Sequence, residues 1–261
     1  MIDFDLSDKV LVVTGGASGI GRAVVDLAHR QGMAIAILDV DGEAADRAAA
    51  ELSRSGAPTL ARAVDVRDRD AVVSVVAEVE SLLGPVHGAV TCAGISRPAP
   101  PEDMTDDQWS SVMDVNVTGT FNVVRAVGAR MLERGSGSIV TVGSTNSLGG
   151  HAHRANYTAS KHAILGLVRS IAIDWGRRGV RVNAIAPGVV DTPLLRNTNS
   201  EQMLRDTFFV RIPMARPSLP DEQARVAMFL LSEAASYVTG AVLPVDGGLT
   251  SGYFNHVDLD D

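Results

Sequence analysis

A short β-branched run, Lys9 to Thr14, leads straight into Thr14-Gly15-Gly16-Ala17-Ser18-Gly19-Ile20-Gly21, and the chain continues in the apolar-periodic stretch Arg22-Ala23-Val24-Val25. A strand that feeds a glycine-rich turn and then opens a helix constrains the fold of this chain more than any other feature. Glycines remove side chains where backbone amides must approach an anion, and the first turn of the helix adds partial positive charge toward it. That order, at the start of an alternating strand and helix pattern, is the order of a dinucleotide cradle, with Gly15, Ser18, Gly19, Ile20 and Gly21 as candidate contacts. Taken alone, the same turn also serves as a bare tight connection. Its spacing is T-G-x-x-x-G-x-G rather than G-x-G-x-x-G.

The rest of the chain repeats the alternation. Strands are expected at about Lys9 to Thr14, Ala34 to Asp39, Thr59 to Ala63, Val86 to Thr91, Gly137 to Val142, Arg181 to Ile185 and Ala241 to Val245. Helical patterns fill Gly19 to Gln31, Glu43 to Arg54, Arg69 to Leu83, Thr105 to Arg134, Asn156 to Arg178 and Asp221 to Ser232, with a weaker one around Glu201 to Phe209. No repeat, low-complexity tract or Pro/Ser-rich linker divides residues 1–261. The expectation is an α/β fold, a single doubly wound parallel sheet of Rossmann-like form, with about seven strands and helices on both faces.

With 46% hydrophobic residues the chain can build a core without disulfides, and the single Cys92 cannot form one internally. A reducing, cytoplasmic setting fits that usage. Met1-Ile2-Asp3-Phe4-Asp5 carries acids where a signal peptide carries bases, and no apolar run approaches the ~20 residues that span a bilayer. The 31 acidic against 23 basic residues, a net charge of −8, oppose attraction to phosphate backbones. Membrane and nucleic acid are therefore not expected partners.

At the end of the second strand, Asp39 stands 24 residues after Gly15, near the interval at which an acid meets an adenosine ribose. Such a carboxylate accepts hydrogen bonds from both ribose hydroxyls and repels a 2′-phosphate. Val40 and Asp41 follow it, and no Lys or Arg lies in the glycine loop to offset that repulsion. NAD is favoured over NADP. The competing role for Asp39 is to cap the helix that follows.

Asn156-Tyr157-Thr158-Ala159-Ser160-Lys161 falls in a helical pattern, so Tyr157 and Lys161, four residues apart, share one face. A free phenol titrates near ~10 and is a poor base at neutral pH unless a fixed positive charge stabilises its phenolate. Lys161 can supply that charge. The same spacing also suits an ordinary exposed helix face.

Together these residues resemble the short-chain dehydrogenase/reductase family over nearly the whole chain, from about Leu6 to Gly248. The loop at 14 to 21 is similar to that family's cofactor loop, and Asp65-Val66 after the third strand is similar to its adenine-contacting pair. Asn116, Ser144, Tyr157 and Lys161 fall in the order of its catalytic tetrad, with Ser144 thirteen residues before Tyr157. Pro187-Gly188, with Val190 and Thr192, resembles the segment that holds the nicotinamide carboxamide. Cys92-Ala93-Gly94 stands where the family usually shows Asn-Ala-Gly. That asparagine mostly steadies the central strands, so its replacement bears on local rigidity rather than catalysis, and Cys92 reads as a buried small apolar residue.

The resemblance implies hydride exchange with a nicotinamide while Tyr157 takes or gives the hydroxyl proton. Ser144 would hydrogen-bond the substrate oxygen. Lys161 would bridge to the nicotinamide ribose, and Asn116 would hold a water linking Lys161 to solvent. It also implies a homotetramer built through the helices at 105–134 and 156–178 and the last strand near Asp246-Gly247-Gly248, and a lid over the site at about 189–217. Ile164, Leu167, Val168 and Ile171 form a helical stripe that an internal core would use equally well.

The substrate end is less defined. Thr145 to Arg154 should border the pocket, since Tyr157 follows it at once. Asn146 and Ser147 could bond a polyol or diketone, while His151, His153 and Arg154 either attract a carboxylate, phosphate or acyl-carrier group or belong to a solvated loop. His151-Ala152-His153 lacks metal-site spacing, and no metal is expected. Pro193, Leu194, Leu195, Phe208, Phe209 and Met214 of the lid could bury a carbon skeleton or pack against the body. In the tail, 249–261, Tyr253 and Phe254 could anchor to a neighbouring subunit or fray. The leading functional expectation is an NAD-dependent dehydrogenase of a small secondary alcohol. The alternatives are a 3-oxoacyl-thioester reductase and a dinucleotide-binding module without catalysis.

Overall fold

The computed structural model describes residues 4–52, 56–192, 195–196, 200, 202, 204, 206 and 209–252. Strands and helices alternate as β1 (Val10–Thr14), α1 (Gly19–Arg30), β2 (Ala34–Asp39), α2 (Gly42–Leu52), β3 (Thr59–Ala63), α3 (Arg69–Leu83) and β4 (Val86–Thr91). They continue as α4 (Asp106–Met113), α5 (Thr120–Arg134), β5 (Gly137–Val142), α6 (Ala155–Gly176), β6 (Val180–Pro187), α7 (Pro220–Leu231) and β7 (Val242–Val245).

All seven strands pair in parallel in the order β3-β2-β1-β4-β5-β6-β7. The inner strands are covered on both faces, which is why β1 and β2 read as unbroken apolar runs rather than alternating ones. Their period of two still sorts residues between two cores. Val10 and Val12 face α3, α5 and α6, whereas Leu11 and Val13 face α1, α2 and α7. Pro244 is accommodated because β7 is an edge strand. The stripe expected on α6 is consumed internally: Ile164, Val168 and Ile171 are buried in the first core, and Leu167 packs against it.

Two differences from the sequence-based expectation have local causes. The helix expected from Thr105 to Arg134 is interrupted by a wide π turn, Asp114–Gly119, between α4 and α5. Asn116 in that turn is fully buried and bonds both to Ile95 and to α6. Gly119 meets Val66 so closely that a Cβ would lie 2.4 Å from Val66 Cγ2. One extra residue per turn reconciles these contacts with the helix axis. Strand β6 runs on to Pro187 because Ala186 and Pro187 still pair with Pro244 and Val245. Most of the helix expected around Glu201 to Phe209 lies outside the described residues, as do Pro193, Leu194, Phe208, Tyr253 and Phe254. Among the described residues no helix is long and apolar enough to cross a membrane.

Because β1 is flanked by β2 on one side and β4 on the other, successive crossovers leave in opposite directions and a crevice opens beyond the carboxyl ends of β1 and β4. The turn after β1 closes its floor. A Cβ on Gly21 would lie 2.1 Å from the Gly15 carbonyl oxygen, so this helix can start only on glycine. Gly21→Ala is expected to lose about 1–3 kcal/mol of stability or more from this overpacking. Denaturant unfolding followed by circular dichroism checks it, and an unchanged midpoint would contradict it.

Candidate active site

A cavity of about 1450 Å³ occupies the crevice. Every sequence-predicted cofactor contact lines it, from Gly15, Ser18, Gly19, Ile20 and Gly21 past Asp39, Asp65 and Val66 to Cys92, Ala93 and Gly94, and on to Pro187, Gly188, Val190 and Thr192. Ser144, Asn146, Arg154, Tyr157 and Lys161 line the same cavity. Asn116 and His153 do not.

The cradle is built from backbone. Gly15, at φ 64°, lies so close to the strand beyond that a Cβ would approach Ala93 N to 2.7 Å, and its own N–H donates to Leu38 O at 2.8 Å. Gly19 is also left-handed, at φ 55°, and faces Thr192. At the N-terminus of α1, Ser18 makes no side-chain cap and the first turn holds no acid. Its orphan amides are thereby left to an external acceptor, which is what an anionic pyrophosphate requires.

Asp39 ties the loop to the end of β2. Its Oδ2 accepts from Ala17 N and its Oδ1 from Asp41 N, both at 3.1 Å, so it remains at the crevice rather than capping α2. Arg22, the basic residue directly after the glycine loop, is engaged with Asp26 and Glu51. Asp65 is held below the usual carboxylate range by hydrogen bonds from the Arg67 side chain, which grips both of its oxygens.

At the other end the four tetrad residues come from three places in the fold: the π turn, the end of β5 and α6. Ser144 follows β5 and is buried, its Oγ accepting from Asn146 N at 3.1 Å while its own N–H donates to Ser147 Oγ. Tyr157 and Lys161 stand one turn apart on α6, with Lys161 Nζ 5.5 Å from the centre of the Tyr157 ring. Lys161 is only 6% exposed, and its ammonium donates to Val142 O at 2.8 Å. No carboxylate pairs with it among the described residues, and two of its three N–H donors are left for ligands in the cavity.

Asn116 is buried in the π turn, beside Gly94. Its Oδ1 accepts from Ile95 N at 2.9 Å, and its Nδ2 donates to Ile95 O and to Ser160 Oγ, each at 3.0 Å. Both amide protons are thus used on protein, and the side chain clamps the segment after β4 to α6. Asn156 does similar work unforeseen from sequence, donating to Arg97 O at 2.9 Å and Gln108 O at 2.8 Å.

Asn146 reaches Thr158 Oγ1 at 3.4 Å, and Arg154 Nη1 donates to Ser96 Oγ at 2.6 Å. His151 lines the cavity. His153 is turned away, with a left-handed backbone at φ 59° and its carbonyl bonded to Ala99 N. Of the expected lid, Val189, Val190, Thr192, Leu195 and Arg211 border the cavity, whereas Met214 is exposed. Sequence reasoning missed Ser96, Arg97, Leu249 and Thr250 as lining residues. They sit in irregular segments with no periodic or motif signal.

Fold and site together define a nicotinamide-dinucleotide oxidoreductase. The family model described as Enoyl-(Acyl carrier protein) reductase matches residues 15–250. Galactitol 2-dehydrogenase (L-tagatose-forming) of Cereibacter sphaeroides is 42% identical over 250 residues, covering 95% of this chain and 97% of that protein. The 3-oxoacyl-[acyl-carrier-protein] reductase FabG of Thermotoga maritima is 36% identical over 244 residues, covering 94% and 98%. A solved structure from Beutenbergia cavernae with NADP bound at low occupancy superposes with a TM-score of 0.91 at 36% identity, covering 96% of this chain and all of that one. The chain belongs to the short-chain dehydrogenase/reductase family.

Cys92 lines the cavity half-buried, and its thiol is pushed up to about 12 by burial, with the Lys161 charge pulling weakly the other way. Below that value the thiol is protonated and a poor nucleophile. Iodoacetamide at pH 8 is therefore expected to leave Cys92 unmodified in the native protein, as read by intact mass. Rapid alkylation would contradict this.

Proposed function

We propose that this chain oxidises a secondary alcohol to a ketone with NAD, using Tyr157 as the proton acceptor. The observation that carries the reading is the buried Lys161 ammonium beside the Tyr157 ring, without a carboxylate partner among the described residues, in the cavity that Ser144 and the glycine cradle also line. Gly15, Gly19, Gly21 and the start of α1 would hold the pyrophosphate, Asp39 the adenosine ribose, Asp65 and Val66 the adenine edge, and Pro187, Gly188, Val190 and Thr192 the nicotinamide end. When bound, the nicotinamide supplies the hydride acceptor. Ser144 orients the substrate hydroxyl and stabilises charge on its oxygen. Tyr157 removes the hydroxyl proton, and Lys161 keeps positive charge against the ring that must carry the negative one. Asn116, through Ser160 and Ile95, fixes the spacing of these groups.

NAD is proposed over NADP because Asp39 projects a carboxylate where a 2′-phosphate would sit, with Arg22 and Arg67 both committed to acids. A homotetramer and a cytoplasmic setting are part of the same proposal. The exposed Trp109 on α4 and Phe121 on α5 offer apolar surface for subunit contact. Likeness to a 3-oxoacyl reductase supports a second reading, reduction of a 3-oxoacyl thioester at the same tetrad.

Turnover of secondary alcohols and diols with NAD, at least tenfold above NADP, is the expected result of an absorbance assay at neutral to alkaline pH. Activity confined to NADPH and an oxoacyl thioester would promote the second reading. Tyr157→Phe is expected to lower kcat by roughly a hundredfold or more, with NADH affinity measured by fluorescence nearly unchanged. Retained turnover would remove Tyr157 from the mechanism. Asp39→Ala should narrow the preference for NAD by about tenfold, since a like-charge clash is relieved.

A further inference from the structure

The cavity is electrostatically divided. Among the described residues its lining carboxylates, Asp39 and Asp65, both lie at the end assigned to adenosine, where Arg67 is spent on Asp65. The other end carries Arg97, Arg154 and Arg211 and, among the described residues, no acid. Among the described residues none of these three guanidinium groups has a carboxylate partner, and Arg154 has only the Ser96 hydroxyl. In a chain with 31 acidic residues and a net charge of −8, three arginines without a carboxylate partner among the described residues line the same cavity.

All three line the cavity that Ser144, Tyr157 and Lys161 also line. Arg154 immediately precedes α6, three residues before Tyr157. Arg97 is drawn to the same helix start, since its carbonyl accepts from Asn156 at 2.9 Å. Arg211 ends a short 3-10 turn, Phe209–Arg211, whose following residues dock on the sheet end: Ile212 is buried beside Gly247, and Met214 N donates to Gly247 O. That places it over the carboxyl ends of β6 and β7, far from Asp39 at the end of β2. A cofactor pyrophosphate at the β1–α1 turn does not use this end.

We propose that the substrate is an anionic hydroxy compound, a small molecule whose carbinol carbon lies a few atoms from a carboxylate, sulfonate or phosphate held by Arg97, Arg154 and Arg211. The planar guanidinium fork matches such oxyanions with paired hydrogen bonds and holds its charge at any working pH. The anion fixes the distance from the binding end to the carbinol, so that only one hydroxyl of the substrate reaches Ser144 and Tyr157. This deepens the alcohol-oxidising reading and rests on it.

The test compares near-isosteric pairs, 3-hydroxybutyrate with 1,3-butanediol and glycerol 1-phosphate with glycerol, by turnover with NAD and by calorimetric titration of the NAD-loaded protein. The anionic member of at least one pair is expected to exceed its neutral partner in kcat/KM by roughly ten- to a hundredfold, the usual worth of a charged hydrogen bond, chiefly through KM. Raised salt should shrink that ratio. In Arg97→Gln, Arg154→Gln and Arg211→Gln the ratio should fall toward one, and the pair with the larger ratio shows whether carboxylate or phosphate is preferred. Equal or better turnover of the neutral members overturns the anionic subsite and leaves the dehydrogenase reading standing. Absence of turnover with every alcohol removes that reading instead. The calorimetry then decides the subsite alone: tighter binding of the anionic members, lost in Arg154→Gln, supports it, and equal binding overturns it.

Discussion

At residue 15 the main chain of the β1–α1 turn rests directly on the main chain that leaves β4. Any side chain there would penetrate Cys92 and Ala93, and any side chain at residue 21 would strike the carbonyl of residue 15. This contact between backbones brings the first helix down onto the switch point of the sheet with its amides pointing into the crevice. The sheet order follows from right-handed crossovers, and the crevice follows from the sheet order. The tetrad then needs only to be hung from β5 and α6 across the gap.

The opposite wall depends on polar clamps rather than glycines. Asn116, Ser160 and Asn156 are fully buried, and each satisfies its hydrogen bonds by joining the β4 exit, the π turn and α6. Buried polar groups bonded in this way specify one arrangement, because any slip leaves an amide without a partner. The arrangement they hold includes a buried ammonium at Lys161 whose hydrogen bond is to a carbonyl. Burying a charge without a counter-ion is costly to stability, and proteins retain such groups where the chemistry needs them.

Much of this was legible along the chain. Strand periodicity and glycine placement located β1, α1 and the cradle, because those signals are local. Asp39 was legible because an acid at a strand end, a fixed interval from the glycine turn, has few other uses. The break at Asn116 was not read from the sequence, although Asp114 to Gly119 consists of weak helix formers, because its cause is contact with Ile95, Val66 and α6 far along the chain. The side chains of Arg97 and Arg211 were equally hidden. Arg97 sits in an irregular segment and Arg211 ends a 3-10 turn, and only the folded sheet brings them to the cavity that Arg154 lines. The replacement of the family's asparagine by Cys92 left the sheet intact, while Thr14 Oγ1 and Thr91 Oγ1 lie buried without hydrogen-bond partners at the ends of β1 and β4.

The central claim is that one crevice orients a dinucleotide with adenosine on Asp39 and nicotinamide beside Tyr157. A crystal structure of the protein with NAD tests it most directly. The account predicts ribose hydroxyls on the Asp39 carboxylate, the pyrophosphate on the amides of Gly19 to Gly21, and the nicotinamide ring between Tyr157 and the Pro187-Gly188 segment. Density for the cofactor in the reverse orientation, or with Lys161 and Tyr157 turned out of contact, would contradict it.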